Sequence, residues 1–301
     1  MSFSSDSLPL QVATLEDAYA ACARLARSHY ENFPVASWWL PGHLRRAVAV
    51  VYAFARCADD FADEPGLEEP ARLARLADWR TRLGSGATGH EHHPVFWALA
   101  DVFRQHPISP EPFEKLITAF EMDVKKNRHG TFNDLIFYCR HSANPVGEIL
   151  LRLFGGWTEI RGHGSDAICT ALQLANFWQD ITVDTQKNRL YIPQEDLARF
   201  GVSEEKVFQG PVSEPLKKLM AFQVDRTWNL FEEGRSLLSD APVGLKKELR
   251  LVWLGGTEIL RKIEAQGYDV WSRRPVVSKM DWLRLFGKMC LGVPGPVGGR
   301  G

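Results

Sequence analysis

Apolar residues recur three and four positions apart along nearly all of this 301-residue chain. That is the period of an amphipathic helix. The stretch TLEDAYAACARLARSHY, 14–30, opens on a capping box, with Thr14 and, where Glu is usual, Asp17. A second helix is predicted from Pro41 through Asp63, and others near 68–83, 93–105, 110–127, 131–154, 164–185, 214–239 and 243–266. Glycine and proline punctuate the gaps, as in DEPGLEEP, HPISPEP and FGGWTEIRGHG. No alternating run is long enough for a sheet, and no fixed period suggests a solenoid. No linker is long or polar enough to divide the chain. The expectation is one all-α domain of roughly ten helices over 1–290, with 291–301 a disordered tail.

Composition narrows the function classes. The apolar fraction, 45%, suits an ordinary globular core. Thirty-six basic and 37 acidic residues leave a net charge of −1, so no bulk field selects nucleic acid. Five scattered cysteines without a CxxC pair read as reduced, mostly buried thiols of a cytosolic protein. MSFSSDSLPLQ has neither the basic nor the apolar region of a signal peptide, and AVAVVYAFA is too short to span a bilayer. A cytoplasmic protein is expected, with membrane contact at most peripheral.

The candidate chemistry lies in two acidic stretches. In YAFARCADDFAD, Asp59 and Asp63 are four apart and share a helix face, with Cβ atoms roughly 6 Å apart. Alone, such a pair is best read as a solvated surface. Here Val48, Val51, Tyr52 and Ala55 make the same face apolar in the preceding turns, while Asp60 projects to another side. The spacing repeats in LQLANFWQDITVDTQKNRLYIP: Gln173, Asn176, Asp180 and Asp184 fall on one predicted helical stripe, followed by Lys187, Arg189 and Tyr191. Two acidic stripes facing one cavity would hold Mg²⁺, a hard cation that shares its coordination with substrate phosphates. Arg56, Arg189 and Lys187 would take the remaining phosphate oxygens. The doubled pattern points to an enzyme that handles a diphosphate.

At these residues the chain resembles the squalene and phytoene synthase family. The resemblance runs from about His29 to Arg274 and is carried by Tyr52, Arg56, Asp59 and Asp63, then by Gln173, Asn176, Asp180, Asp184, Arg189, Tyr191 and Pro193. It implies a helical isoprenoid-synthase bundle around a central cavity. It makes His29 a diphosphate contact, puts Phe33 at the cavity mouth and gives Arg273 a phosphate-facing role. SHYENFPVASWWLP and YCRHSANPVGEIL resemble one bacterial branch, the hydroxysqualene synthases. That branch implies presqualene diphosphate as substrate, hydroxysqualene and diphosphate as products, Mg²⁺ as cofactor and no nicotinamide. Tyr138 stands one turn before Ser142–Ala143–Asn144, where relatives have Val-Ala-Gly. Gly256 replaces a tyrosine, and both departures are expected around the cavity. Asn144, with His141 or Ser142, would order the capturing water; alternatively Asn144–Pro145 caps or kinks a helix.

Head-to-head condensation of two prenyl diphosphates, giving presqualene diphosphate, squalene or phytoene, needs the same acidic clusters. A non-catalytic assembly factor is the rival of another class, free to lose acids that this chain retains. GHEHHP, 89–94, reads as a solvated loop, and Asp123, Lys125, Lys126 and Arg128 as a solvated face. For SRRPVVSKMDWLRLFGKM an interfacial amphipathic helix and a last core helix with a basic surface both stand.

Overall fold

A computed structural model of the chain describes residues 8–9, 11–28, 41–63, 66–86 and 92–290. Among them are fifteen helical segments and no strand. In chain order the first seven are α1 (Leu15–Ser28), α2 (Gly42–Asp63), α3 (Glu69–Gly86), α4 (Pro94–Gln105), α5 (Glu111–Lys125), α6 (Phe132–Ser142) and α7 (Asn144–Leu153). Next come α8 (Glu159–Gln179), α9 (Ile181–Gln186), α10 (Gln194–Arg199) and α11 (Glu204–Gln209). The last are α12 (Glu214–Gly234), α13 (Leu237–Asp240), α14 (Val243–Ala265) and α15 (Lys279–Cys290).

Three stretches expected as single helices are broken. The one over 131–154 stops at Ala143, because Pro145 has no N–H to continue the ladder. The one over 164–185 breaks at Asp180 and begins earlier, where Thr158 Oγ1 accepts from Arg161 N at 3.2 Å. The one over 214–239 divides into α12 and α13. Half of the capping box of α1 forms, with Asp17 N donating to Thr14 Oγ1 at 3.1 Å, while the Asp17 carboxylate accepts from the Thr14 hydroxyl at 2.7 Å.

The chain packs as two compact units. One is Met1–Lys125 with Pro145–Trp157; the other is Lys126–Asn144 with Thr158–Gly301. In the first, Phe54 of α2 meets Phe113 of α5 edge-on at 5.1 Å, and Trp79 of α3 lies 4.4 Å from Phe96 of α4. Tyr19 donates to Asp101 at 2.9 Å, so its hydroxyl is buried with a partner. Of the histidine-rich stretch expected as a solvated loop, His92 is exposed and His93 is half-buried. His93 packs on Trp79 and accepts from Val95 N at 3.3 Å, capping α4, and His92 packs on Trp97. Residues 89–91 lie outside the described residues.

In the second unit, α8 crosses α12 at two glycines. A Cβ on Gly234 would come within 2.6 Å of the Gly164 carbonyl oxygen and 2.5 Å of Ile168. Buried indoles find partners: Trp178 Nε1 donates to Thr227 Oγ1 at 2.9 Å and Trp228 Nε1 to Glu264 at 2.8 Å. Residues 127–130 run beside 190–195, with Leu190 N donating to Asn127 O at 3.0 Å and Gln194 N to His129 O at 2.9 Å. Arg128 fastens this pairing through Glu204 and Asn188, so it is a cross-link rather than part of a solvated face. Asn188 takes a φ of 55°, a left-handed turn that asparagine tolerates, and so returns the chain after α9.

Candidate active site

The first acidic cluster ends α2. Val48 and Val51 are buried, while Tyr52, Ala55, Asp59 and Asp63 are half-buried. The apolar face thus runs out of the core toward its carboxylates. Arg56 Nη1 reaches Asp59 at 3.3 Å, and Nη2 reaches Asp60 at 2.5 Å. Asp60 is the more enclosed of the two, 14% exposed against 46%. It was expected to be marginal, yet it is the closer partner of Arg56. The helical offsets decide this, since positions three and four on from an arginine both lie within its reach. Arg56 Nε is buried without a hydrogen-bond partner among the described residues. Burial raises the Tyr52 hydroxyl pKa above its ordinary value.

The second cluster lies at a break, not on one continuous stripe. α8 ends at Gln179, and Asp180 both closes α8 and opens α9. Its backbone spans the break: Asp180 N donates to Asn176 O at 2.9 Å, and Asp184 N to Asp180 O at 2.8 Å. Gln173 is half-buried and Asn176 exposed. Burial pushes the Asp184 carboxyl up to about 6, and the charge of Asp180 adds to it; Arg189, Lys187 and Arg274 act in the opposite direction. Arg189 N donates to Asp184 O at 2.9 Å, so the turn after α9 brings Arg189 back to the acids. Arg274 Nε donates to Asp180 Oδ1 at 2.5 Å, and Gln179 Nε2 to Pro275 O at 2.7 Å. Arg274 thus pairs with the acids of this cluster, while Arg273, expected to face phosphate, is exposed and its carbonyl accepts from Gln266.

Close to this break is an aromatic wall. Phe177 stacks on Tyr191 at 3.7 Å and 8°. Tyr138 lies 5.9 Å from Tyr191 and 6.0 Å from Phe177. His129 completes the group, 5.6 Å from Tyr138 and 5.7 Å from Tyr191, and is only 2% exposed. Burial pushes its imidazole down to about 4, so it is neutral near pH 7. Sequence reading missed His129, because its burial comes from the pairing of 127–130 with 190–195.

Asn144 is buried at the α6–α7 break, and its Oδ1 accepts from the buried Thr170 hydroxyl of α8 at 2.9 Å. Ser142 Oγ is buried without a hydrogen-bond partner among the described residues. His141 instead bonds the Phe137 carbonyl at 2.8 Å and packs on that ring. Gly256, a departure expected around the cavity, sits at a close packing contact. A Cβ there would meet Leu172 at 2.6 Å and Phe231 at 2.7 Å, so this glycine serves close helix packing. Lys187 is exposed, and His29 and Phe33 lie outside the described residues.

Residues 26–281 match the squalene/phytoene synthase family. The chain belongs to that family. It is 30% identical to the 15-cis-phytoene synthase of Synechococcus elongatus over 290 residues, covering 91% of this chain and 92% of that one. It spans about two thirds of the length of chloroplastic phytoene synthases. Among solved structures it is similar to squalene synthase HpnC from Alicyclobacillus acidocaldarius, at 40% identity and a TM-score of 0.81, covering 88% of this chain and 98% of that one. A dehydrosqualene synthase in complex with a ligand also gives 0.81, at 26% identity over 92% and 96% of the two chains. Family membership makes the chain an isoprenoid synthase with the family's all-α fold.

The residues fit the divalent metal use of this family. Each cluster offers carboxylate oxygens, the hard donors that magnesium takes. Asp184 is raised first by burial and then by the charge of Asp180, so a cation beside it would favour its ionised form. Among the described residues no three acidic, histidine or cysteine side chains converge on one point.

Proposed function

We propose that the protein converts presqualene diphosphate and water to hydroxysqualene and diphosphate. The observation that carries this reading is the buried Asn144–Thr170 pair, with the unpartnered Ser142 hydroxyl two residues away. Burying polar groups costs stability unless something engages them, and a water molecule is the smallest partner that does. The similarity to HpnC supports the same branch.

In this mechanism the bond between the cyclopropylcarbinyl carbon and oxygen breaks, and its electron pair leaves with the diphosphate. Asp59, Asp63, Asn176, Asp180 and Asp184 would hold magnesium, which supplies charge neutralisation for that leaving group. Arg56, Arg189 and Lys187, with Arg274 in the role expected of Arg273, bind the phosphate oxygens. Tyr52 and Gln173 position the substrate beside its acidic ends. Tyr138, Phe177 and Tyr191 turn ring faces toward the cation as it rearranges, stabilising it without adding to it. Because Thr170 donates to Asn144 Oδ1, the amide NH₂ is left to donate to a water oxygen. The water's other lone pair forms the C–O bond, and its proton passes to the released diphosphate.

The test is incubation of purified protein and Mg²⁺, without NADPH, with presqualene diphosphate and separately with farnesyl diphosphate. Hydroxysqualene from the first only is expected; efficient turnover of farnesyl diphosphate alone would overturn the reading. Asn144→Ala should lower the hydroxysqualene fraction about tenfold, the effect of losing one orienting hydrogen bond. A variant that makes hydroxysqualene alone at the normal rate removes Asn144 from the mechanism. The second reading is head-to-head prenyl diphosphate condensation. It is favoured by the names of the similar proteins, which are phytoene, squalene and dehydrosqualene synthases.

A further inference from the structure

Large apolar side chains exposed to solvent are scattered over most of the described surface but gather in one place. Val276 is 50% exposed, Met280 74%, Leu283 69% and Phe286 38%, all within or just before α15. At about 100° per residue, Lys279, Met280, Leu283, Phe286 and Cys290 fall on one outward arc of that helix. The opposite face is already used. Leu285 and Met289 are buried, and a Cβ on Gly255 of α14 would lie 3.0 Å from the Trp282 ring.

The helix is fixed in this orientation. Ser278 and Asp281 cap its start, with Ser278 N donating to Asp281 at 2.8 Å and Asp281 N to Ser278 Oγ at 3.2 Å. Lys262 of α14 reaches Asp281 at 2.8 Å, and Arg284 bonds Glu258. Asp281 is the only acid on α15 and is engaged, while Lys279 and Lys288 are exposed and Arg284 is half-exposed.

We propose that the outward face of α15 docks the enzyme on an anionic lipid surface. Met280, Leu283 and Phe286 enter the acyl boundary, while Lys279 and Lys288 meet the headgroups. The charge pattern selects this occupant over a second copy of the chain. Two copies joined through this face would bring their lysines against one another. The residues that follow α15, LGVPGPVGGRG, carry only one leucine and two valines as apolar side chains to set against it. This inference does not rest on the reaction proposed above, because it is read by partitioning rather than turnover.

The full chain is sedimented with vesicles of phosphatidylglycerol and phosphatidylethanolamine, and with vesicles of phosphatidylcholine alone. Binding to the anionic vesicles is expected, weakened by salt. The paired substitution Met280→Asp with Leu283→Asp should reduce it about tenfold or more. Lys279→Glu with Lys288→Glu should do the same. Val243→Asp, at an exposed apolar residue of α14, should leave it unchanged. Circular dichroism checks folding, and light scattering after gel filtration reads self-association. No vesicle binding by the wild type, or equal binding by a folded Met280→Asp/Leu283→Asp variant, would overturn the proposal. So would a dimer that this variant dissociates, which would assign the face to a second copy.

Discussion

Two aspartate pairs share one spacing and live in different surroundings. Asp59 and Asp63 close an unbroken α2, and Arg56 of the same helix reaches Asp59 and Asp60. Asp180 and Asp184 lie across the break between α8 and α9, and the cation on Asp180 is Arg274, 94 residues away. The first cluster draws a cation, Arg56, from its own helix. The second combines burial with a neighbouring charge, so Asp184 sits at about 6. Equal spacing in sequence therefore says that both clusters offer oxygen donors, but not how strongly each needs a cation.

The sharpest way to break this comparison is to remove one acid from each cluster. Asp59→Ala and Asp180→Ala should each lower kcat about a hundredfold or more, the scale of losing electrostatic stabilisation of a leaving group. Helical circular dichroism should be retained, since both side chains are only partly buried and Asp180 makes no side-chain cap bond. Steady-state turnover of each variant is the measurement. If only Asp180→Ala is impaired, the α2 cluster is a surface feature and the resemblance in spacing is misleading.

What could be read in advance follows from what is local. The 3.6-residue period exposes long amphipathic helices, so α1, α2, α5 and α14 fall where expected. α10, α11 and α13 are six residues or fewer, too short for a period to register. Asp59 and Asp63 lie on one helix, α2, as their four-residue spacing predicts, whereas Asp180 and Asp184 straddle a break that the same spacing does not reveal. Arg274 was not legible, because its pairing depends on where the chain after α14 returns. Neither was the environment of Gly256, where Leu172 and Phe231 leave no space for a Cβ.

Glu248 of α14 separates burial from neighbouring charge, the two causes that act together on Asp184. It is 8% exposed, its Oε2 has no hydrogen-bond partner among the described residues, and burial alone pushes it up to about 7. A carboxyl raised in the folded state is bound more tightly to its proton there than in the unfolded chain. Stability is therefore lost as pH rises from about 4.5 to about 7, and the loss is complete above that. Glu248→Gln should stabilise the protein at pH 8 by up to about 3 kcal/mol and leave it unchanged near pH 4. Thermal melts at the two pH values measure the difference. A gain of the same size at both would assign it to packing instead of charge.

The smallest effects come from the two arginines, and they bear most directly on local against distant neutralisation. Arg56 is 26% exposed and its partner Asp60 14%, so the pair is only partly screened by water. Arg56→Ala removes the guanidinium that Asp59 and Asp60 share, and should cost about 1–2 kcal/mol in magnesium-free buffer. Arg274 and Asp180 are 44% and 31% exposed, which limits Arg274→Ala to at most about 1 kcal/mol. Denaturant melts should therefore rank Arg56→Ala as the more destabilised variant. Added magnesium should recover stability in both, since a metal ion replaces the missing positive charge beside the carboxylates. The reverse ranking would mean that Arg274 holds the α8–α9 break together as structure, so that the distant cation matters to the fold before it matters to the diphosphate.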